Sequence, residues 1–330
     1  MISEVTLSLL RARRNLLAFS GGIDSTALFH LLSMQGILCD LAIVDYNRRA
    51  QSKKEVAYAH ELAQRFGCKL FIKSITLPES DFEATARRAR YQFFEELIAT
   101  HRYDHLLTAH QLNDRLEWLL IQLTKGAGTV ELVGMREIEK RAGYLLIRPL
   151  LEITKQELQR WLDRHNIPYF IDESNHDPHF MRNRIRPIAQ ALLAEHTQGI
   201  IRSLVYLSDD ALRLWNKPKE ARVGKVIIIP FRPELFRRDL LWLAKQQGIL
   251  PSFRQQEMIM ADSGGVLAGK IAFGVGGKFL WSSPYHPLVG ASKAFKEGCR
   301  LRKVPRWIRG YLWELSPAWE VVDCALASLL

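Results

Sequence analysis

The sequence predicts an α/β fold: a doubly wound, mostly parallel sheet followed by a smaller C-terminal α+β domain. Short apolar runs alternate with runs of helical periodicity through the first half of the chain. This alternation is typical of a parallel sheet with helices on both faces. A glycine-rich turn joins the first strand to its helix, and after residue 187 the pattern changes to consecutive helices and glycine-interrupted strands.

The strands of the predicted sheet are short apolar runs, and each of the first four precedes a helical pattern. Glycines follow two of these helices, at Gly36 and Gly67, where a left-handed residue commonly ends a helix. A last helix is predicted with Thr154 as N-cap and Glu157 at the capping-box position. The predicted strands cover residues 15–19, 38–46, 69–75, 105–110 and 144–151.

Length and composition favour about two domains with a full hydrophobic core. The 330 residues are 48% hydrophobic and carry a formal net charge of +11. Such a surplus favours a polyanionic partner such as nucleic acid, although a merely basic enzyme explains it at least equally well. We predict a first domain at residues 1–187, a helical linker at 188–215 and a C-terminal domain at 216–330.

Cysteine spacing and hydropathy exclude several classes. The four cysteines form no C-x-x-C pair, so neither a zinc ribbon nor an iron–sulfur site is predicted. No apolar run approaches the ~20 residues that a membrane span needs, and the N-terminus lacks a secretion signal. We therefore expect a cytoplasmic protein that contacts no membrane.

The turn after the first strand has the composition of an anion site. Its two glycines permit positive φ and close backbone approach, and the following helix offers unpaired N–H groups. The spacing matches neither a Walker loop nor a G-x-G-x-x-G turn, and a plain capped turn is the alternative. The residues are Ser20, Gly21, Gly22, Ile23, Asp24 and Ser25.

Asp24 adds a carboxylate to this anion site. A carboxylate beside bound phosphates repels them unless a cation lies between. We therefore expect Mg²⁺ at Asp24.

The segment SGGIDS resembles the pyrophosphate loop of the N-type ATP pyrophosphatases, whose PP-loop domain has an adenine nucleotide α-hydrolase-like fold. Three later stretches are similar to the tRNA(Ile)-lysidine synthetases within that superfamily. They are FEATARRARYQFFEEL (82–97), the A-H-x-x-x-D-x-x-E segment within 106–135, and RPLL through SNHDPHFMRNRIR (148–186). The likeness spans roughly residues 15–187.

The resemblance implies a specific reaction. Members of this family use ATP to adenylate the wobble cytosine of a tRNA(Ile) with a CAU anticodon. The ε-amine of free L-lysine then attacks carbon 2, and AMP leaves. By the same resemblance, residues 1–187 are the catalytic domain and 216–330 the tRNA-binding domain. Oligomeric state stays open, with a homodimer suggested by related enzymes.

The resemblance also assigns roles to individual residues. Residues 20–25 would hold ATP and its pyrophosphate, and Asp45 would lie near the adenine. His110, Asp114 and Glu117 fall at i, i+4 and i+7, and they share one face if the helix starts at His110. A capped, solvated helix face is the alternative reading of their spacing alone. The predicted catalytic residues are Asp24, His110, Asp114 and Asp177.

The polar loop DESNHDPHFMRNRIR is the other predicted functional segment. Asp177 and Asn175 could contact lysine, and Arg182 and Arg186 could neutralise phosphate. A structural ion network is the alternative. The helical stretch at 82–97 contains Arg88, with Arg87 and Arg90, which could contact nucleotide or tRNA. A solvated helix face explains these arginines equally well.

The chain departs from the family pattern in two places. An Asp-Tyr-Asn-Arg-Arg run at 45–49 replaces a His before a Leu-Arg pair. Around the A-H-x-x-x-D-x-x-E segment the family often has A-H-H-x-D-D-Q-x-E-T, and one His, one Asp, one Gln and one Thr are replaced. The departing residues are Gln111, Asn113, Arg115 and Trp118.

Two other functions compete with lysidine synthesis. A PP-loop tRNA cytidine thiolase would want paired cysteines near the site, which the spacing does not provide. A non-catalytic tRNA-binding module would not require residues such as Asp24 and His110. The final basic and aromatic stretch, RLRKVPRWIRGYLWELSPAWE (300–320), suits phosphate contact with base stacking. An ordinary basic strand pair is the favoured alternative there.

Overall fold

The protein is described by a computed structural model that covers residues 1–46, 50–75, 82–171 and 181–330. The chain divides into two compact units, Met1–Leu212 and Arg213–Leu330. The predicted linker range, 188–215, lies largely within one long helix that spans Met181–Leu214. The assignment of residues 1–187 to catalysis and of 216–330 to tRNA binding stays a prediction.

The first unit contains a six-stranded sheet in the order β3-β2-β1-β4-β6-β5. Its first five strands in that order are parallel, and β5 joins the edge antiparallel to β6. The predicted mostly parallel sheet is therefore confirmed. The strands are β1 (Asn15–Ala18), β2 (Cys39–Asp45), β3 (Leu70–Ser74), β4 (His105–Leu107), β5 (Ile138–Arg141) and β6 (Tyr144–Ile147).

Helices cover both faces of this sheet, as the doubly wound class requires. Adjacent strand residues alternate between two cores: Leu17 faces a core with α2 and α7, while Leu16 faces one with α4. The helices are α1 (Glu4–Leu10), α2 (Ile23–Met34), α3 (Ala50–Phe66), α4 (Phe82–His101), α5 (Leu112–Thr124), α6 (Thr129–Val133), α7 (Lys155–Arg164) and α8 (Met181–Leu214). The chain of α8 is kinked at His196, where φ is −128°.

The strand order places a crevice beside β1. The chain runs from β1 to β2 and β3 on one side, and then returns to β4 on the other side of β1. Ligands of open α/β sheets bind at such a switch point, outside the carboxyl ends of the strands. The loops that follow β1 and β4 both leave the sheet at this edge.

The second unit is built on a five-stranded antiparallel sheet in the order β7-β8-β11-β10-β9. Helices α9 and α10 pack on one face, and α11 to α13 pack on the other. Its strands are β7 (Ala221–Val223), β8 (Val226–Pro230), β9 (Gly264–Leu267), β10 (Ile271–Gly276) and β11 (Phe279–Pro284). Its helices are α9 (Phe236–Gln246), α10 (Phe253–Ala261), α11 (Lys293–Leu301), α12 (Arg309–Leu315) and α13 (Trp319–Ala327).

The structure corrects the favoured interpretation of the stretch at 300–320. The expected strand pair is wrong, because this stretch runs from the end of α11 through α12 to the start of α13. Its apolar side chains pack on one face of the second sheet. In the part of the chain that the structure describes, no helix is both long and apolar enough to cross a membrane.

Candidate nucleotide and lysine site

The glycine-rich turn leaves β1 and opens directly into α2. Gly21 has a φ of +72°, which favours glycine. The hydroxyl of Ser25 closes the turn, since it accepts from Ser20 N at 3.2 Å and lies 3.1 Å from Ser20 Oγ. Gly22 is the N-cap of α2 and provides no side-chain acceptor for the N–H groups of its first turn. These groups are suited to binding an anion.

Phe170 flanks the turn, a contact that sequence reasoning missed. Its N–H donates to Gly21 O at 2.9 Å, and it bridges to Gly22 as a parallel neighbour. A Cβ on Gly21 would lie 3.2 Å from Phe170 Cδ2. The turn therefore has no room for a side chain at Gly21 unless Phe170 moves.

Asp24 lies in the first turn of α2 with a buried oxygen, Oδ1, that has no hydrogen-bond partner. Burial, together with the nearby charge of Asp114, raises the pKa of this carboxyl to about 7. Lys155 and Arg182 oppose the shift. An orphaned buried carboxylate oxygen is a costly group that a cation would satisfy.

The residues present therefore fit Mg²⁺. This ion usually takes one or two protein carboxylates together with waters and substrate phosphates. Among the described residues, no three His, Cys, Asp or Glu side chains form a ready-made metal cluster. A site that holds Mg²⁺ mainly through nucleotide phosphates needs no such cluster.

Helix α5 begins at Leu112 and not at His110. The condition for His110, Asp114 and Glu117 to share one helical face is therefore not met. Gln111 is the N-cap: its side chain accepts from Asn113 N at 2.6 Å, and its own N–H donates to Asp114 Oδ2 at 3.0 Å. His110 precedes the helix. Asp114 and Glu117, three residues apart, share a face of α5.

Two arginines of α8 bind these carboxylates. Arg182 donates from Nε to Glu117 Oε2 at 2.7 Å and from Nη2 to Asp114 Oδ1. Arg186 donates from Nε to Glu117 Oε1 at 3.2 Å. The side chain of Glu117 is only 4% exposed, compared with 17% for Asp114. The predicted acidic and basic residues are thus brought together, and Glu117 anchors the first turn of α8.

His110 is a neutral group beside this cluster. Its Nδ1 lies 2.9 Å from Thr108 Oγ1. Burial, together with the charges of Arg148 and Arg87, lowers its pKa to about 3. The buried Arg148 is bound to Arg136 O at 2.7 Å and to the carboxylate of Glu139 at 3.1 Å. A neutral imidazole can accept or donate hydrogen bonds but is a weak base.

Sequence comparison identifies the family. A model of the PP-loop domain matches residues 2–192. A tRNA(Ile)-lysidine synthase of Campylobacter jejuni is 41% identical, with 94% of this chain and 96% of that protein covered. The synthase of Wolinella succinogenes is 42% identical over 92% and 93% of the two chains, and that of Helicobacter pylori 35% identical over 92% and 90%. The chain belongs to the tRNA(Ile)-lysidine synthase family.

Structure comparison agrees on the fold. A U34-tRNA thiolase from Methanococcus maripaludis, solved with its 4Fe-4S cluster, aligns with a TM-score of 0.50 and 16% identity. The alignment covers 66% of this chain and 78% of the thiolase. Membership of the synthase family confirms the predicted resemblance, and it makes the chain a ligase with an ATP-using PP-loop domain.

Residues that depart from the synthase pattern form hydrogen bonds within this chain. Gln111 caps α5, and Asn113 Oδ1 accepts from Lys155 N at 3.0 Å, so it ties α5 to the start of α7. The indole N–H of Trp118 donates to Glu131 O at 3.0 Å. The departure at Asn47 lies outside the described residues.

Arg115, another residue that departs from the pattern, forms hydrogen bonds with residues 89 and 93 positions further along the chain. Its buried guanidinium donates from Nη2 to Leu204 O at 3.0 Å and to Ser208 Oγ at 2.8 Å. Arg115 lies on α5 between Asp114 and Glu117, and both acceptors belong to α8. The same two helices are therefore joined at the site by ion pairs and behind it by this arginine.

Of the remaining predicted residues, two lie among the described residues and two lie outside them. Asp45 ends β2 at the same edge of the sheet, where its carbonyl accepts from Ile75 N at 2.8 Å. Arg88 is exposed on α4, whereas Arg87 and Arg90 contribute to the lowered pKa of His110. Asn175 and Asp177 fall within 172–180, outside the described residues.

Three further residues complete the site without having been predicted as functional. Arg148 follows β6 and begins the RPLL motif, and Lys155 follows the confirmed N-cap Thr154, so both stand in quoted motifs. Burial of Arg148, and the proximity of Lys155 to Asp24, depend on contacts distant in the sequence. Phe170 carried no local signal.

Proposed function

We propose that the chain ligates L-lysine to carbon 2 of the wobble cytosine of tRNA(Ile) with a CAU anticodon. The carbonyl oxygen of the cytosine attacks the α-phosphate of ATP, and pyrophosphate leaves. The ε-amine of lysine then attacks carbon 2, and AMP leaves. The observation that carries the proposal is the buried Oδ1 of Asp24, which has no hydrogen-bond partner and lies in the PP-loop of a chain 41% identical to a synthase along nearly its whole length.

The first step calls for groups that hold pyrophosphate as it departs. The N–H groups at the start of α2, with the hydroxyls of Ser20 and Ser25, would bind its oxygens. Asp24 would hold Mg²⁺, which supplies positive charge to the phosphates when bound. Lys155, whose charge already acts on Asp24, would add a cation at the same edge. Asp45 and Arg88 stay lower-ranked candidates for nucleotide contact.

The second step calls for a carboxylate that attracts the lysine ammonium. Asp114 is the better candidate, because its side chain is 17% exposed, compared with 4% for Glu117, which binds both Arg182 and Arg186. Glu117 would act as a positioning residue through Arg182 and Arg186. His110, neutral at pH 7, would orient substrate by hydrogen bonding. Asp177 and Asn175 keep their predicted roles as lysine contacts.

The second unit is the proposed tRNA-binding part. Residues 213–330 contain 19 Lys and Arg against 9 Asp and Glu, whereas residues 1–212 contain 27 against 26. Nearly all of the chain's positive surplus is thus carried by the second unit. A surplus of this kind supports binding to the phosphate backbone of nucleic acid.

Cysteine placement disfavours the thiolase alternative. Cys39 begins β2, and Cys68 precedes β3, so both lie at the amino edge of the sheet, away from the PP-loop. All four cysteines are free. A non-catalytic module is disfavoured because tRNA binding alone gives no reason to retain the costly, unpartnered carboxylate of Asp24.

The proposal is tested by incorporation of radiolabelled lysine into tRNA(Ile) with a CAU anticodon, with and without ATP. An isoacceptor with another anticodon is the control. ATP- and Mg²⁺-dependent label in the first tRNA alone is the expected result. Pyrophosphate release without label would mean that lysine is the wrong nucleophile, and sulfur donors and ammonia would be tested next.

Two predicted properties accompany the proposal. A homodimer is expected from related enzymes, and light scattering coupled to size-exclusion chromatography measures it. A cytoplasmic location follows from the proposed tRNA substrate, and cell fractionation measures it.

A further inference from the structure

The segment 303–307, between α11 and α12, lies on a floor of glycines. A Cβ on Gly274 would lie 2.5 Å from Pro305 Cβ, and one on Gly264 would lie 2.8 Å from Trp307 Cδ1. Gly276 approaches the segment just as closely, beneath Lys303 O. Because side chains on this part of β9 and β10 would displace the segment, its path over the sheet is fixed.

Hydrogen bonds hold the backbone of Val304 within the segment. Val304 N donates to Cys299 O at 2.9 Å, and Arg309 Nε donates to Val304 O at 3.0 Å. Val304 and Pro305 are buried, whereas Lys303 and Arg306 are exposed. The segment thus presents two cations from a rigid support.

Other cations nearby are already neutralised. Arg300 binds Glu297 through two bonds of 2.8 and 2.6 Å. Arg302 binds Asp323 through two bonds of 2.7 and 2.6 Å, and its guanidinium lies over Trp319.

Three other exposed cations differ from Arg300 and Arg302 in lacking a carboxylate partner in the described part of the chain. Among the described residues, no carboxylate pairs with Lys303, Arg306 or Lys278. Lys278 is exposed on the β10–β11 turn, and a Cβ on the adjacent Gly277 would lie 3.3 Å from Lys303 Cδ. The three side chains therefore belong to one exposed basic surface.

The aromatic residues of the same stretch are used within the protein. Trp313 and Trp319 pack with Phe295 in the core of the second unit. Tyr311 accepts from Lys225 N at 3.3 Å through its hydroxyl. Trp307 is half-buried, and one of its faces is covered by Arg306 at 4.1 Å. The stretch thus favours charge contacts over base stacking.

We propose that Lys278, Lys303 and Arg306 form a sequence-independent contact with the phosphate backbone of the tRNA. The identity of the partner rests on the proposed function. The contact itself rests on three exposed, unneutralised cations on a fixed support. It contributes affinity and leaves the choice of tRNA to other residues.

The opposite face of the same sheet offers a matched control. Lys245 on α9 and Arg254 on α10 are exposed, and α9 and α10 pack against the other core of the second unit. Their replacement removes the same charge from the same unit. A nonspecific effect of net charge would therefore alter both pairs of variants equally.

The test compares Lys303→Asn/Arg306→Gln with Lys245→Gln/Arg254→Gln in tRNA binding over a series of salt concentrations. Asn suits position 303 because its φ is +53°. For the first pair we expect the slope of log Kd against log salt to fall by about 2, because each lost phosphate contact lowers it by about 1. The affinity should fall about 10-fold or more at low salt, equally for cognate and non-cognate tRNA, with kcat unchanged.

Two results would overturn the proposal. One is an equal slope for the two pairs; the other is a loss confined to the cognate tRNA. Lys278→Glu, in an exposed turn, gives a second measurement if the first pair folds poorly, and it should weaken binding with a reduced slope. If the wild-type chain forms no lysidine, the proposed function fails, and the comparison of the two pairs still decides whether this surface binds tRNA.

Discussion

The two units of the molecule differ in the balance and the pairing of their charged residues. In the first unit, 27 basic and 26 acidic residues nearly balance, and the charges at the site pair with one another: Arg182 holds Asp114 and Glu117. In the second unit, basic residues outnumber acidic ones by about two to one, and three exposed cations, Lys278, Lys303 and Arg306, have no carboxylate partner among the described residues. Paired charges fix geometry for chemistry, whereas unpaired ones attract a polyanion at long range.

Asp24 is the exception within the balanced unit. Its buried oxygen has no partner, although the carboxylates of Asp114 and Glu117 have arginines. A group that destabilises the fold and lies at a ligand-binding edge is a candidate for function. The comparison predicts that changes in the first unit act on turnover, and changes in the second act on tRNA affinity.

The largest effect is expected from Asp24→Asn. Loss of the carboxylate should lower ATP-dependent lysine transfer by about 10²-fold or more, since electrostatic groups at the reacting phosphates commonly contribute that much. The tRNA dissociation constant should stay unchanged. Asp210→Asn, an exposed aspartate on α8, is the control. Retained turnover in Asp24→Asn would remove the Mg²⁺ role.

A smaller effect on turnover is expected from Gly21→Ala. Both Gly21 and Gly36 have positive φ, at +72° and +70°, so alanine at either position costs about 1 kcal/mol of stability. At Gly21 the new Cβ also meets Phe170 Cδ2, whereas nothing lies within 4 Å of a Cβ at Gly36.

Steady-state kinetics separate these two variants. Gly21→Ala should raise the KM for ATP by about 10-fold, roughly 1.4 kcal/mol of lost binding. Gly36→Ala should leave it unaltered at a similar Tm. An equal KM in the two variants would contradict the assignment of the turn to nucleotide binding.

Arg115→Gln tests how firmly α5 and α8 are joined. The change removes two hydrogen bonds from a charged donor to α8, and we expect it to lower the free energy of unfolding by about 1–3 kcal/mol. Urea denaturation measures this loss. Arg202→Gln, exposed on α8, should change stability by less than ~0.5 kcal/mol. Equal urea midpoints for the two variants would show that Arg115 does not stabilise the contact between α5 and α8.

The last prediction concerns the dependence of stability on pH. The pKa of Asp24 is about 7 in the fold against an ordinary 3.8. The folded chain keeps this proton to higher pH than the unfolded chain, so wild-type stability falls as the pH rises from about 4 to about 7. Asp24→Asn lacks this titration, and its Tm relative to the wild type should rise by a few degrees between about pH 5 and pH 8. A constant difference in Tm would contradict the shift.

The fold and the turn were predictable because their signals are local. Alternating periodicity predicted the parallel sheet, and two glycines before a helix predicted the anion site. The start of α5 at Leu112 agrees with a helix that begins after the predicted strand at 105–110, although its N-cap, Gln111, is not among the favoured N-caps. Arg115 and its acceptors are about 90 residues apart, and no local pattern records such a contact.

The C-terminal stretch shows the same limit. Helices α12 and α13 have seven and nine residues, too few for a clear apolar period, so the sequence of the stretch favours strands. Its alternation of charged and aromatic residues was visible in the sequence. Only the fold shows that its aromatic rings are packed inward and that two of its exposed cations, Lys303 and Arg306, have no carboxylate partner among the described residues.

The division of charge is tested most directly by the salt dependence of lysine transfer in the wild-type enzyme. Initial rates would be measured with varied tRNA at several KCl concentrations, at saturating ATP and lysine. We predict that kcat changes little while kcat/KM for tRNA falls steeply, because salt screens the exposed cations of the second unit more than the paired charges of the site. A kcat that falls as steeply as kcat/KM would contradict the account.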